Sequence, residues 1–316
     1  AVNPVPFILQ NRAVGNAYND KVRNLMISLS SAVDVDGLVL GSESMDAMLK
    51  ELELIIIPEQ MGVGLDKKTV NKLLGFMSKG GKILLINSPL VESKPDLTQK
   101  VDLTERLFGI KIEDSVTGKF DKIEARLPLN ASNRTWVSGY KVELSKDVEI
   151  LASDSEGYPI LCRKGNLYYS TSGFSENLAP YMSSVVSYLA NPIVSLTDKT
   201  GELRILETVK KNGMLCVSLF GKGQGKLVID ISRFTDKKIS LQAKDIVTGR
   251  PVKVQVAKGK AIVQADIKHT DQPYILVIGN KSKLSVFQGI YSSENVFMGM
   301  EKGIEIENPE VPIAVP

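Results

Sequence analysis

Residues 52–89, LELIIIPEQMGVGLDKKTVNKLLGFMSKGGKILLINSP, constrain the fold more than any other part of the chain. A continuous apolar run comes first, then an amphipathic segment, then Gly80–Gly81, then a second apolar run. Runs without polar alternation are strands covered on both faces, as in parallel sheets. Between them, Val70, Leu73, Leu74 and Met77 share one face of a helix predicted over 65–81, which the glycine pair stops. Strand, helix and strand in this order build a parallel sheet, and such sheets bind ligands beyond the carboxyl ends of their strands.

The same alternation runs through residues 1–192. Strands are predicted at 6–10, 35–41, 52–58 and 82–88, and helices at 17–32, 44–51 and 65–81. In the first helix Val22, Leu25, Met26 and Leu29 form the apolar face, and Ser44 is an N-cap candidate for the second. DLTERLFGIKIED (102–114) reads as a helix passing into an edge strand. DKIEARLP, VEILASD, YPILCRKG and NLYYSTS read as further strands, and 178–191 as a closing helix. Successive βα units require right-handed crossovers, which predicts a doubly wound, mostly parallel α/β sheet. From 203 onward the period is two with turns about every ten residues, which predicts an antiparallel β-sandwich over 193–280. KGQGK and AKGKA read as hairpin turns inside it, and 281–316 as an extended tail.

Several kinds of chemistry are disfavoured by composition. A net charge of +3, with basic residues scattered and only nine arginines among 39 basic side chains, does not make a phosphate-tracking surface. No apolar run reaches the ~20 residues of a membrane helix, so no spanning segment is expected. Cys162 and Cys216 lie in apolar strand contexts without a CxxC partner, so they read as buried thiols and no metal is expected. The single histidine, His269, lies among turn-forming residues and reads as a loop side chain.

Each motif that suggests a site has a competing plain reading. GVGLDKK (62–68) lacks the third glycine of a dinucleotide loop and sets an acid ahead of its helix, so no cofactor is expected. Glu59, Glu92, Asp154 and Glu156 fall near strand ends, where a pair of carboxylates is able to cleave glycosides, yet no spacing ties two together. They read as solvated loop acids. Asn87–Ser88 follows the strand KILLI at the place of a nucleophile, without a Gly-x-Cys-x-Gly elbow, and Ser88 reads as a turn cap. The sequons at Asn130 and Asn133 read as chance occurrences.

Three stretches together resemble a known arrangement: LELIIIPEQMGVGLDKKTVNKLLGFMSKGGKILLINSP, DLTERLFGIKIED, and VEILASDSEGYPILCRKGNLYYSTSGF. Followed by the sandwich VKKNGMLCVSLF…LVIDIS…AKDIVTGRPV…YILVIG, they are similar to the amidotransferase-like trimerisation domain and C-terminal β-sandwich of family 42-type β-galactosidases. The resemblance implies a class I amidotransferase-like, flavodoxin-like layer structure, with the family's catalytic (β/α)₈ barrel and its two glutamates absent from this chain. It implies a structural or assembly role through protein contacts, as a homo-oligomer or part of a larger assembly, and not an enzyme, since the nucleophile is missing. The alternative is a carbohydrate-binding or hydrolytic module. Asn11, Arg12, Glu59, Gln60, Asn87 and Ser88 would then contact hydroxyls in the crevice, with Trp136 or Tyr140 stacking on the sugar. The compartment is not fixed by the sequence, a secreted or cell-surface place being favoured slightly over the cytoplasm.

Overall fold

A computed structural model describes residues 7–10, 16–39, 45–50, 52–58, 64–93, 100–116, 119–120, 124–127, 134–135, 139–173, 179–198, 202–211, 213–235, 240–268 and 274–284. Its first part is built on β1 (Phe7–Gln10), α1 (Asn16–Leu29), β2 (Asp36–Val39), α2 (Met45–Met48), β3 (Leu54–Ile57), α3 (Lys67–Ser78) and β4 (Lys82–Ile86). The four strands lie parallel in the order β2-β1-β3-β4. Leu167–Ser170 adds a fifth parallel strand beside β4. Pro159–Lys164, Glu149–Ser153 and Glu124–Ala125 then extend the sheet antiparallel, to eight strands.

Alternate side chains of the parallel strands feed two cores. Leu54, Ile56, Leu84 and Ile86 meet Leu25 and Leu29 of α1 and the apolar face of α5 (Ala179–Ala190). Ile55, Ile57, Ile83 and Leu85 meet Val70, Leu73 and Phe76 of α3 on the other face. All four β3 residues are buried, as the unbroken apolar run predicts.

α3 begins and ends where its local chemistry dictates. Asp66 is the N-cap, and its carboxylate accepts the Thr69 N–H at 2.9 Å and the Thr69 hydroxyl at 2.8 Å. At the other end Gly81 N–H donates to Phe76 O and Gly80 N–H to Met77 O, the two bonds of a Schellman stop. Gly80 supplies the φ of 96°. Gly81 has a different reason to be glycine: a Cβ there would fall 2.3 Å from the Phe76 ring.

DLTERLFGIKIED departs in part from expectation. It forms α4 (Leu103–Phe108), Gly109 at φ 65° and the strand Ile110–Val116, but this strand pairs with Gly139–Leu144 in a separate two-stranded ribbon rather than edging the main sheet. Ile112, Val142 and Leu144 of the ribbon pack on the α3-side core.

The remaining strands form two antiparallel sheets, and they begin at Val194–Asp198. One sheet holds Val194–Asp198, Gly223–Asp230, Lys260–Ile267 and Val254–Ala257; the other holds Arg204–Lys211, Met214–Phe220, Tyr274–Asn280, Leu241–Asp245 and Pro251–Val252. Their inward residues, among them Leu215, Val217, Leu227, Val263, Leu276 and Ile278, form a third core. AKGKA is a two-residue hairpin, with Lys258 at φ 50° and Gly259 at 75°. GKGQGK is not a hairpin: it joins strands of different sheets. Gly221 allows the crossing at φ 106°, where a Cβ would fall 2.2 Å from the Glu202 carbonyl oxygen. After the last strand α6 (Lys281–Leu284) forms a single helical turn, and the remainder of the expected tail lies outside the described residues.

The two sheets dock against the amino-terminal edge of the parallel strands. Leu196 N–H donates to Ala32 O and Ile205 N–H to Ser30 O, both at 2.8 Å, just past α1. Thr208 N–H donates to buried Asp34 Oδ2 at 2.7 Å. Arg233 forms an ion pair with Glu53, immediately before β3, at 2.6 Å and also donates to Asn191 O after α5. These contacts satisfy N–H groups on the open edge of Arg204–Lys211, an edge that would otherwise invite pairing with another chain.

Two expectations follow. Asp34→Ala leaves the Thr208 N–H without its acceptor and lowers the urea-unfolding free energy by about 1–3 kcal/mol, while Asp34→Asn, which keeps an acceptor oxygen, costs less. For Asp66, partial burial opposes the charge, but the Thr69 bonds outweigh it and hold the carboxyl below its usual range. A folded-state value below the unfolded one stabilises above the unfolded value and ceases to do so as pH falls through the folded value. Asp66→Ala therefore lowers stability by about 1 kcal/mol at neutral pH. In urea titrations that difference from the parent chain shrinks below about pH 4.

Candidate functional site

With the amino-terminal edge occupied, the carboxyl ends of the parallel strands are the edge where a site belongs. Asn11, Arg12, Glu59, Gln60 and Trp136 lie outside the described residues, as do His269 and both sequons. Asn87 and Ser88 are described and sit together at the end of β4, both buried. Tyr140 lies in the ribbon strand Gly139–Leu144.

Asn87 takes a left-handed backbone, φ 47°, directly after β4. Asparagine tolerates this region better than most side chains. Its N–H donates to Ser170 O at 2.8 Å, which continues the pairing of β4 with Leu167–Ser170 by one residue. Its buried side-chain Oδ1 has no hydrogen-bond partner among the described residues. A residue directly after a strand is where a nucleophile elbow carries its nucleophile, but a nucleophile elbow leads into a helix. Here Pro89 follows, Leu90 N–H donates to Thr104 Oγ1 at 2.6 Å, and the chain enters a short hairpin of Val91–Ser93 with Lys100–Asp102. The next helix among the described residues is α4, so none starts at the end of β4.

The neighbouring strand end is polar and largely occupied with itself. Ser170 Oγ lies 3.2 Å from Ser172 O and 3.3 Å from Ser172 Oγ. The Thr171 hydroxyl donates to Pro159 O at 2.8 Å. Tyr181 of α5 is fully buried behind them, and burial pushes its phenol up, with the Ser170 hydroxyl opposing.

Asp154 is not the solvated loop acid that its sequence position suggests. It is buried, and its Oδ1 accepts the N–H groups of Glu156 at 3.0 Å and Tyr158 at 2.8 Å. It braces the SDSEGY turn, whose Gly157 takes φ 86°. Glu156 is exposed, as expected. The turn also presents Tyr158, 42% exposed, with Lys141 Nζ 5.5 Å from the ring centroid. The sequence reading weighed the acids of this turn and passed over Tyr158, although an aromatic between a turn and a strand is the available signal for it.

Neither thiol stands at this edge. Cys162 is buried within Pro159–Lys164, where desolvation pushes it up to about 12, and Cys216 lies half-buried in the second sandwich sheet. A fully buried thiol in apolar surroundings, such as Cys162, is inert. Among the described residues no three His, Cys, Asp or Glu side chains are grouped to hold a metal ion. No described helix is long and apolar enough to cross a membrane.

The chain matches no protein-family model and no curated protein sequence. Its fold is similar to solved structures. Alpha-L-fucosidase isoenzyme 2 from Paenibacillus thiaminolyticus superposes with a TM-score of 0.58 at 12% identity, over 89% of this chain and 49% of that one. A catalytic mutant of a GH42 beta-galactosidase from G. stearothermophilus superposes with a TM-score of 0.51 at 11% identity, over 87% and 40%. The chain thus spans half or less of the length of these structures, and the likeness is one of fold.

If the Asn87 side chain serves mainly to adopt the left-handed bend, Asn87→Gly changes the urea-unfolding free energy by less than about 1 kcal/mol. Asn87→Val, β-branched at positive φ, costs roughly 2 kcal/mol or more.

Proposed function

We propose that this chain is a non-catalytic assembly or accessory portion of a carbohydrate-active system and acts through protein contacts, self-association among them. In this reading residues 1–192 are a doubly wound, class I amidotransferase-like domain, 193–280 a bracing β-sandwich domain and 281–316 a tail. The observation that carries it is the end of β4. The bend suited to a nucleophile holds Asn87, followed by Ser88 and Pro89 with no helix starting there. The adjacent Ser170–Ser172 hydroxyls bond within the protein, and the two thiols lie elsewhere. The fold likeness to two glycosidases lends the carbohydrate association its support and nothing about reaction. Sedimentation equilibrium over a wide concentration range tests the reading, and an integer multiple of the chain mass is expected. A monomer at the highest concentration, with no partner captured, counts against it.

A second reading, sugar binding at the carboxyl edge, is favoured by Tyr158, an exposed aromatic beside a cation, together with the unpartnered Asn87 Oδ1. A glycan array reads it out. Binding that Tyr158→Ala weakens at least about fivefold supports this reading, since losing one stacked ring removes roughly 1 kcal/mol or more. A blank array removes it.

A further inference from the structure

We propose that the outer face of the five-stranded sandwich sheet is a docking surface for this chain's own segment 286–300. The outward side of an antiparallel sheet is ordinarily polar. Here Val209, opposite Cys216, is 42% exposed and Phe220 is 52% exposed, with Cys216 half-buried along the same strand. Ile275 and Val277 occupy outward positions on the adjacent strand, opposite Ser218 and Cys216.

Three observations name the occupant. The first is continuity. α6 packs against Tyr274–Asn280 and Leu241–Asp245 of this sheet, and the chain leaves it at Leu284. Leu284 and Val277 are 5% and 3% exposed, yet neither belongs to the core between the sheets, so apolar cover outside that core has already begun. The second is composition. The next sixteen residues, SVFQGIYSSENVFMGM, contain Phe287, Ile290, Tyr291 and Phe297 and a single charge, Glu294. Extended, they reach roughly 50 Å, while strands ~4.8 Å apart put Val209 within about 15 Å of the strand that feeds α6. The third is charge. Lys211, Lys244 and Glu207 flank the patch at positions paired with Met214, Val277 and Ser218, a net positive border. A two-fold contact between copies sets that border against itself, whereas Glu294 complements it.

Cys216 reports on the cover in this 316-residue chain, because Cys162 is fully buried and does not compete for a thiol reagent. Phe287→Asp and Phe297→Asp are expected to raise the rate of Cys216 modification by about tenfold or more, since the rate of a protected group follows the opening of its cover. Val209→Asp, made on the sheet instead, should do the same. Rates within twofold of the parent chain overturn the proposal. So does protection in the parent chain that vanishes on dilution, which assigns the face to a second copy. Should the variants not fold, hydrogen exchange on the unmodified chain decides: slowed amides across 286–300 support the docking, and exchange at unstructured rates overturns it.

Discussion

The constraint on which the rest depends is that β3 and β4 have apolar side chains on both faces. Leu54–Ile57 and Ile83–Ile86 leave no side of the sheet for water, so each face must be roofed. The chain meets this demand by sending α1 and α5 to one face and α2, α3 and α4 to the other. Fully burying one Leu or Ile is worth about 1.5–3 kcal/mol, so these eight residues alone outweigh any single cap or ion pair in the molecule. Described elements thus cover both faces and the amino-terminal edge of the parallel strands.

Directional polar contacts, from backbone and side chains, hold the sandwich strands at the amino-terminal edge. Ala32 O, Ser30 O and the Asp34 carboxylate accept the N–H groups of Leu196, Ile205 and Thr208 in turn, and Arg233 bridges Glu53 and Asn191. Such bonds are directional, so they set how the sandwich strands meet α1 and β3. They also blunt the open edge of Arg204–Lys211.

How much of this was legible depends on whether the information is local. The helix faces of α1 and α3, the glycine stop at 80–81 and the buried run of β3 follow from spacing within a dozen residues. The switch from parallel to antiparallel at Leu167–Ser170 does not, because both neighbours of that strand present the same apolar pattern. The ribbon partner of Ile110–Val116 lies past several short elements, and nothing in its period names Gly139–Leu144. GKGQGK looks like a hairpin because glycines make hairpins; that Gly221 instead passes beside the Glu202 carbonyl is a tertiary fact. At the candidate site, position was legible and state was not. KILLIN placed Asn87 and Ser88 at a strand end, but Asp154 read as solvated because its two acceptor bonds run to N–H groups any residue could supply.

Among the described residues of the carboxyl rim, polar groups are spent largely on bonds within the protein. A reacting centre needs donors and acceptors held open toward a substrate, because catalysis comes from interactions completed in the transition state. Along this rim Thr171 bonds to Pro159, Asp154 holds its own turn, and the Ser170 and Ser172 hydroxyls approach each other. Each bond makes the rim more rigid and leaves less for a ligand. Asn87 Oδ1, in a bend that its own residue type stabilises, is a buried acceptor without a hydrogen-bond partner among the described residues.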